Sequence, residues 1–357
     1  MANEVNSTEA MPDDVILRVE DLRVSFRTYG GIVQAVRGVS FDLKRGETVA
    51  IVGESGSGKS VSTKTIMGIL APNAMIDSGR ILYDGMDLTK IDEDHMHEIR
   101  GHRIGMVFQD PMSALNPIMK VGKQITEVLH KKGLHHEAAK RRALELMEAV
   151  GIPDVERRFN QYPFQFSGGM RQRIVIAIAL AGDPEILICD EPTTALDVTV
   201  QAKILELINR IREERHLSVI FITHDLGVVA NMADRVNIMY AGRIVETGTA
   251  EEIFFEPAHP YTWALLSSMP DLQTKDRLMA IPGTPPNMIY PPTGDAFAPR
   301  NQYALKIDTE KEPPFFRLSD THLAATWLLH PKAPKIEMPQ QLQDRIKRMK
   351  EAAKNVQ

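Results

Sequence analysis

Eight residues, Gly53-Glu54-Ser55-Gly56-Ser57-Gly58-Lys59-Ser60, lie between the apolar run Thr48–Val52 and a segment with helical character to about Leu70. They match G-x-x-x-x-G-K-[ST] in full, in the strand-before, helix-after context that the pattern requires. Glycines let backbone N–H groups converge on phosphate oxygens, and the following helix adds partial positive charge at its start. Lys59 is placed to reach the β- and γ-phosphates of a nucleotide, and the Ser60 hydroxyl to bind Mg²⁺. A chain with this element has to build a parallel sheet around it.

The remaining sequence supplies such a sheet. EILIC (185–189), VIFI (219–222) and VNIMY (236–240) are short apolar runs, and an amphipathic helix over about 198–215 separates the first two. Strands alternating with helices predict an α/β fold with a parallel core. Upstream, alternating apolar positions from Val15 to Leu43 predict two or three half-exposed strands, and ILYDGMDL (81–88) a hairpin arm. Residues of about 110–180 carry apolar positions at helical spacing and predict a helical subdomain. Fourteen of the 22 prolines fall at or after Pro257, which predicts an irregular accessory region. Residues 1–14 read as a disordered tail, 15–258 as the main domain, 259–334 as the accessory domain and 335–357 as a solvated basic helix.

Composition narrows the function classes. A net charge of -5 argues against a dedicated nucleic-acid binder. One cysteine, Cys189, excludes a disulfide framework or a multi-cysteine metal site, and its place inside an apolar run marks it as a small buried hydrophobe. No run of about 18 apolar residues is present, and the N-terminus does not read as a signal peptide. Work at a membrane would require docking onto a protein that spans it.

A nucleotide site also needs a carboxylate at the end of a neighbouring strand. ILICDE offers Asp190, placed to hold Mg²⁺, and Glu191, placed to polarise an attacking water. A second glycine-rich segment, FSGGMRQR (166–173), has the hydroxyl, the glycines and the helix start of a phosphate loop, yet one nucleotide has no room for both.

The order of these motifs resembles the nucleotide-binding subunits of ABC transporters. FSGGMRQR is similar to the family signature, Val107-Phe108-Gln109-Asp110 to the glutamine loop, Ala195-Leu196-Asp197 to the D-loop and Ile222-Thr223-His224-Asp225 to the switch-histidine segment. The resemblance implies a RecA-like core with an antiparallel β subdomain and an α-helical subdomain, binding ATP and Mg²⁺. It implies nucleotide contacts from Gly53 through Val61, Mg²⁺ contacts from Ser60, Gln109 and Asp190, and a catalytic set of Lys59, Gln109, Glu191 and His224. Phe26 aligns with the adenine-stacking aromatic, with Tyr29 as the alternative. Ser167, Gly168, Gly169, Met170 and Asp197 would face the ATP of a second cassette, which answers why the chain has two such loops. Met170 stands where the signature more usually has glutamine.

QDPMSALNPIMKVGKQI (109–125), HPYTWALLSSMP (259–270) and IPGTPP followed by FAPR resemble the peptide-importer subfamily. That implies a D-type oligopeptide permease ATPase at the cytoplasmic face of the plasma membrane, paired with a non-identical F-type ATPase. Two integral permease subunits and, indirectly, an extracellular binding protein complete the expected assembly; dipeptide and nickel importers share the phrases. Many relatives hold an iron–sulfur cluster on four cysteines in the C-terminal region, where this chain has Asp295, Asn301, Asp308 and Thr326. Clusters need thiolates, so none is expected, and packing around Phe297, Tyr303 and Trp327 is expected to hold the region. Only 131 positions separate Lys59 from Asp190, too few for the coiled coil of DNA-organising relatives. One set of motifs argues against ribosome-acting members, and no N-K-x-D motif supports a GTPase.

Overall fold

The computed structural model describes residues 11–194, 196–269 and 281–354. Two sheets organise it. The first is antiparallel, in the order β2-β1-β4-β5, from β1 (Val15–Thr28), β2 (Gly31–Lys44), β4 (Ala74–Tyr83) and β5 (Met86–Asp87). The second has eight strands in the order β11-β12-β10-β9-β3-β8-β7-β6. Its members are β3 (Thr48–Val52), β6 (Ile104–Val107), β7 (Ile186–Asp190), β8 (Ser218–Thr223), β9 (Arg235–Tyr240), β10 (Arg243–Thr249), β11 (Phe316–Arg317) and β12 (Leu323–Ala324).

Five neighbouring strands, β9, β3, β8, β7 and β6, are parallel. Every residue of β3, β7 and β8 is buried, which is why these strands read as unbroken apolar runs rather than as alternation. The long strands β1 and β2 are broken by register shifts and show mixed burial, as expected of a sheet with one wet face.

The helices are α1 (Lys59–Ile66), α2 (Glu93–Ile99), α3 (Pro111–Ala114), α4 (Val121–Lys131), α5 (His136–Ala149), α6 (Val155–Arg158), α7 (Gly168–Leu180), α8 (Val198–Arg215), α9 (Leu226–Val229), α10 (Ala250–Phe255), α11 (Pro260–Ser268) and α12 (Gln340–Lys354). The run α3–α7 is the helical subdomain. Ile125, Leu129, Ala143, Leu146, Ile174 and Ala177 build its core, which is continuous with one face of the parallel sheet. α1 is shorter than its sequence suggests, ending at Ile66 ahead of Gly68 in a left-handed conformation.

Residues 1–10 of the expected tail lie outside the described residues. Residues 11–14, read with them as disordered, are tied down: Val15 N–H donates to Pro12 O at 2.9 Å, and Asp14 pairs with Lys44 at 2.8 Å. The lysine holds the Asp14 carboxyl below its ordinary range.

The boundary drawn at 258 does not separate two cores. β12 pairs with β10 and β11 with β12, so the proline-rich region extends the main sheet. One apolar cluster joins Val236, Ile238 and Tyr240 of β9 to Tyr261, Trp263, Phe297 and Leu342. Buried Glu246 on β10 is the polar rivet. It accepts from Ala258 N–H at 2.7 Å and His259 N–H at 3.0 Å, from the Thr262 hydroxyl, and contacts His322 Nε2 at 2.8 Å. A fully buried carboxylate has to have all its lone pairs engaged, and these four groups engage them.

The four residues at the cysteine-like positions are all buried. Each caps its own turn: Asp295 accepts from Phe297 N–H, Asn301 from Tyr303 N–H, Thr326 from Leu328 N–H and Asp308 from Leu305 N–H. Phe297 packs against Tyr240 and Tyr261 with ring centroids 5.3 and 5.2 Å apart, Tyr303 against Trp263 at 5.6 Å and Trp327 against Phe316 at 6.3 Å. Short side-chain-to-backbone bonds of this kind fix turns without a metal.

The C-terminal helix is docked rather than solvated. Leu342 and Ile346 enter the apolar cluster around Tyr240 and Trp263, and Arg345 Nη1 donates to Leu266 O and Met269 O at 2.8 Å each. Lys347 and Lys350 stay exposed on the other side of this amphipathic helix, while Arg345 turns its charge onto the carbonyls it docks against.

Candidate functional site

The carboxyl ends of the parallel strands gather the chemistry. β3 runs into the glycine-rich loop, β6 into Gln109, β7 into Asp190 and Glu191, and β8 into His224. Ligand sites in open α/β sheets form at that end of the strands, which is how residues far apart in sequence come to share a cleft. The cleft measures about 800 Å³ and is lined by Glu54 through Val61 with Gln109, Glu191, Thr194 and His224.

Gly58 caps α1 with φ 99°, and a Cβ there would sit 2.5 Å from Ala35 O. Only glycine satisfies both conditions, which fixes the turn from the loop into the helix. Lys59 is buried, and its Nζ donates to Gly53 O at 2.7 Å and Glu54 O at 3.0 Å, with Glu191 Oε1 3.7 Å away. Burial pulls its pKa below the ordinary lysine value against the attraction of Glu191 and Asp190.

Ser60 Oγ donates to Asp190 Oδ1 at 2.7 Å. Burial raises the Asp190 pKa, opposed by the Ser60 hydrogen bond. A hydroxyl and a buried carboxylate are hard oxygen donors, the set that Mg²⁺ prefers. Among the described residues no group of three or more His, Cys, Asp or Glu side chains could hold a metal alone.

Glu191 occupies the left-handed region at φ 46°, unusual for a residue with a side chain. Three groups from three elements converge on its Oε2: Gln109 Nε2 at 3.0 Å, Thr194 Oγ1 at 2.9 Å and His224 Nδ1 at 3.4 Å. Backbone conformation and partners together aim the carboxylate into the cleft beside Lys59. Cys189, one residue before Asp190, is fully buried, and burial pushes its thiol pKa up, away from reactivity.

Not every expected residue lines this cleft. Phe26 is half-buried on β1 against the antiparallel core, and Tyr29 is exposed at the hairpin tip. Ser167, Gly168, Gly169 and Met170 form the start of α7, with Ser167 Oγ accepting from Met170 N–H at 3.4 Å. Asp197 caps α8, its Oδ1 accepting from Val200 N–H at 3.0 Å. These two helix starts abut: a Cβ on Gly169 would lie 2.5 Å from Val200 Cγ1. Ser167, Gly168 and Asp197 are exposed, away from the chain's own phosphate loop.

Several residues at the cleft carried no signal in sequence. Thr194 could have been suggested by its position three residues after Glu191. Leu265, Ser268 and Ile281 also line the cleft, and Tyr261 and Arg300 touch Glu54. HPYTWALL and FAPR were visible as phrases, but nothing in their spacing points to a loop more than two hundred residues upstream.

The fold and the site define an ABC-type ATPase cassette. Comparison with known proteins agrees: residues 36–194 match the family profile described as ABC transporter, and residues 245–307 match "Oligopeptide/dipeptide transporter, C-terminal region". A solved dimeric structure of MJ0796, a bacterial ABC transporter cassette, superposes with TM-score 0.59 at 30% identity, covering 66% of this chain and 98% of that one. The oligopeptide transport ATP-binding protein OppD of Bacillus subtilis is 60% identical over 338 residues, 94% of each chain. The dipeptide transport ATP-binding protein DppD of Lactococcus lactis is 58% identical over 344 residues, 96% of this chain and 99% of that one. The chain belongs to the family of ATP-binding subunits of oligopeptide and dipeptide ABC transporters. Among the described residues no helix is long and apolar enough to cross a membrane.

Proposed function

We propose that this chain hydrolyses ATP to ADP and phosphate to energise import of oligopeptides, as a peripheral subunit at the cytoplasmic face of the plasma membrane. The observation that carries the catalytic part is the convergence of Gln109, Thr194 and His224 on Glu191 Oε2, beside Lys59. In this reading the phosphate loop, Gly53 through Val61, and Lys59 hold the triphosphate. Ser60, Asp190 and Gln109 hold Mg²⁺, which neutralises charge on the phosphates when bound. Glu191 orients a water and accepts its proton, while His224 and Gln109 keep carboxylate and water in register. Phosphoryl transfer asks for little covalent help from a protein, so positioning and electrostatics carry the rate.

Phe26 stacks on the adenine. Ser167, Gly168, Gly169, Met170 and Asp197 serve the ATP of a second cassette, a non-identical F-type subunit. This is supported by the exposure of Ser167, Gly168 and Asp197 and by the absence of all five from the chain's own cleft. Two integral permease subunits complete the transporter, an extracellular binding protein delivers the cargo, and nucleic acid is not a partner. Closure of two cassettes around ATP then shifts the permease between two states. The C-terminal region carries no iron–sulfur cluster in this reading, and iron and sulfide analysis of the purified chain checks that.

A dipeptide cargo is the second reading, favoured by the 58% identity to the dipeptide-named relative. Purifying the membrane complex and identifying bound receptor and ligand by mass spectrometry decides between them. Recovery with nucleic acid or ribosomes and without permeases would overturn both.

A further inference from the structure

Glu54, the second residue of the phosphate loop, has each of its polar groups occupied. Its carbonyl accepts from Lys59 Nζ at 3.0 Å, inside the loop. The other partners come from the C-terminal region: its N–H donates to Tyr261 Oη at 2.9 Å, and its carboxylate receives a two-pronged bond from Arg300, Nη1 to Oε2 at 2.6 Å and Nη2 to Oε1 at 2.9 Å.

Arg300 is itself fully committed. Its side chain is 4% exposed, Nε donates to Pro282 O at 2.7 Å, and Nη1 also reaches Tyr240 Oη at 3.2 Å. Its guanidinium carbon lies 5.7 Å from the Tyr240 ring centroid and 6.0 Å from that of Phe297. A planar fork packed between rings holds its carboxylate partner in one geometry, which a lysine cannot reproduce. Beyond Pro282 the same strand of chain continues to Met288, whose carbonyl accepts from Gln34 N–H at 3.0 Å, and to Ile289, which packs over Gly30 and Gly31. Arg300 thus joins three things: the phosphate loop, the end of β9 and the segment beside the cleft.

We propose that Arg300, with Tyr261, is a positioning residue for nucleotide binding. It fixes the first turn of the phosphate loop and neutralises a carboxylate that would otherwise stand unpaired beside a triphosphate. The C-terminal region is then part of the ATP site in the same chain, and its docking sets nucleotide affinity. This rests on Gly53–Ser60 being the ATP phosphate loop.

The test is a double-mutant cycle, read by binding of a slowly hydrolysed ATP analogue with Mg²⁺ to the purified full chain and by steady-state ATPase of the assembled transporter. R300M is expected to weaken analogue binding about thirtyfold or more, the order seen when one partner of a buried charge pair is removed. Arg300→Lys should recover only part of it. E54Q combined with R300M should lose at least about fivefold less than the product of the single losses, because the unpaired carboxylate is gone. The defect should lie in KM, with saturated turnover within about twofold of wild type, since Glu191 and His224 are untouched. A role confined to folding predicts the reverse: fewer active molecules, lower kcat and an unchanged KM. Should R300M fail to fold, Tyr261→Phe, which removes only the acceptor for Glu54 N–H, is read in the same way. Wild-type affinity in R300M, or additivity across the cycle, overturns the proposal. Failure of the wild-type chain to bind the analogue instead overturns the phosphate-loop reading beneath it.

Discussion

Gln109 and Glu191 are 82 positions apart in sequence, and Gln109 Nε2 donates to Glu191 Oε2 at 3.0 Å. The contact spans the ends of β6 and β7, at the junction between the helical subdomain and the parallel core. It makes the carboxylate that faces the cleft sensitive to where the helical subdomain sits.

If Glu191 accepts the proton of the attacking water, Glu191→Gln keeps the shape, its partners Gln109 and Thr194, and ATP binding, but removes the base. Turnover should fall by roughly 10²–10⁴ while nucleotide affinity holds. Single-turnover phosphate release set against equilibrium binding checks this. Near-normal release would remove Glu191 from the role.

Gly169→Val tests the signature segment. A Cβ at Gly169 would meet Val200 at 2.5 Å, so the start of α7 has to move from α8. The chain's own phosphate loop is untouched. ATP binding by the isolated chain should stay within about twofold, while ATPase in the assembled transporter falls by tenfold or more, as expected when preorganised donors near phosphate are displaced. Equal losses in both assays would place the segment at the chain's own nucleotide.

Asp190 gives a prediction with a sign. Its folded-state pKa is raised by burial, so the ionised form is disfavoured in the fold. The penalty is absent below the ordinary value of 3.8, where both states are protonated, and complete above the raised value. Asp190→Asn should therefore raise the melting temperature of the nucleotide-free chain at neutral pH. The gain should shrink as pH is lowered through the raised value. The same variant should lose the stabilisation by ATP with Mg²⁺, which for wild type amounts to about 2.7 kcal/mol at a hundredfold excess over Kd. Thermal melts across pH, with and without nucleotide, read both effects.

Glu246→Ala removes the buried acceptor shared by Ala258, His259, Thr262 and His322. Leaving those donors unanswered should cost about 3–5 kcal/mol. If β10 and the C-terminal region unfold as one unit, chemical denaturation should show a single shifted transition. An early separate transition would mean the two regions are independently stable.

The parallel core was legible from sequence because its strands are buried on both faces, so β7, β8 and β9 read as plain apolar runs between turn residues. The phosphate loop and the strand-end carboxylates were legible because their chemistry is local. What escaped was whatever depends on long-range pairing. β12 has two residues, too few for periodicity to register, and its partner β10 lies almost eighty positions earlier. The docking of α12 was hidden for a related reason: Leu342 and Ile346 are ordinary helix residues until the groove they fill is known. Arg300 is the sharpest case, since its purpose is visible only once Glu54 stands 2.6 Å away.

The join of β10 to β12 also has a consequence in time. A ribosome delivers Glu246 long before Ala324, its partner across the sheet, and at about 5–20 residues per second the interval is several seconds. Throughout that interval the β10 edge of a nearly finished sheet is bare, and bare edges recruit strands from other chains. The proline-rich region reaches the growing molecule as a late closing piece, and nascent chains stalled before it should be the ones that chaperones hold.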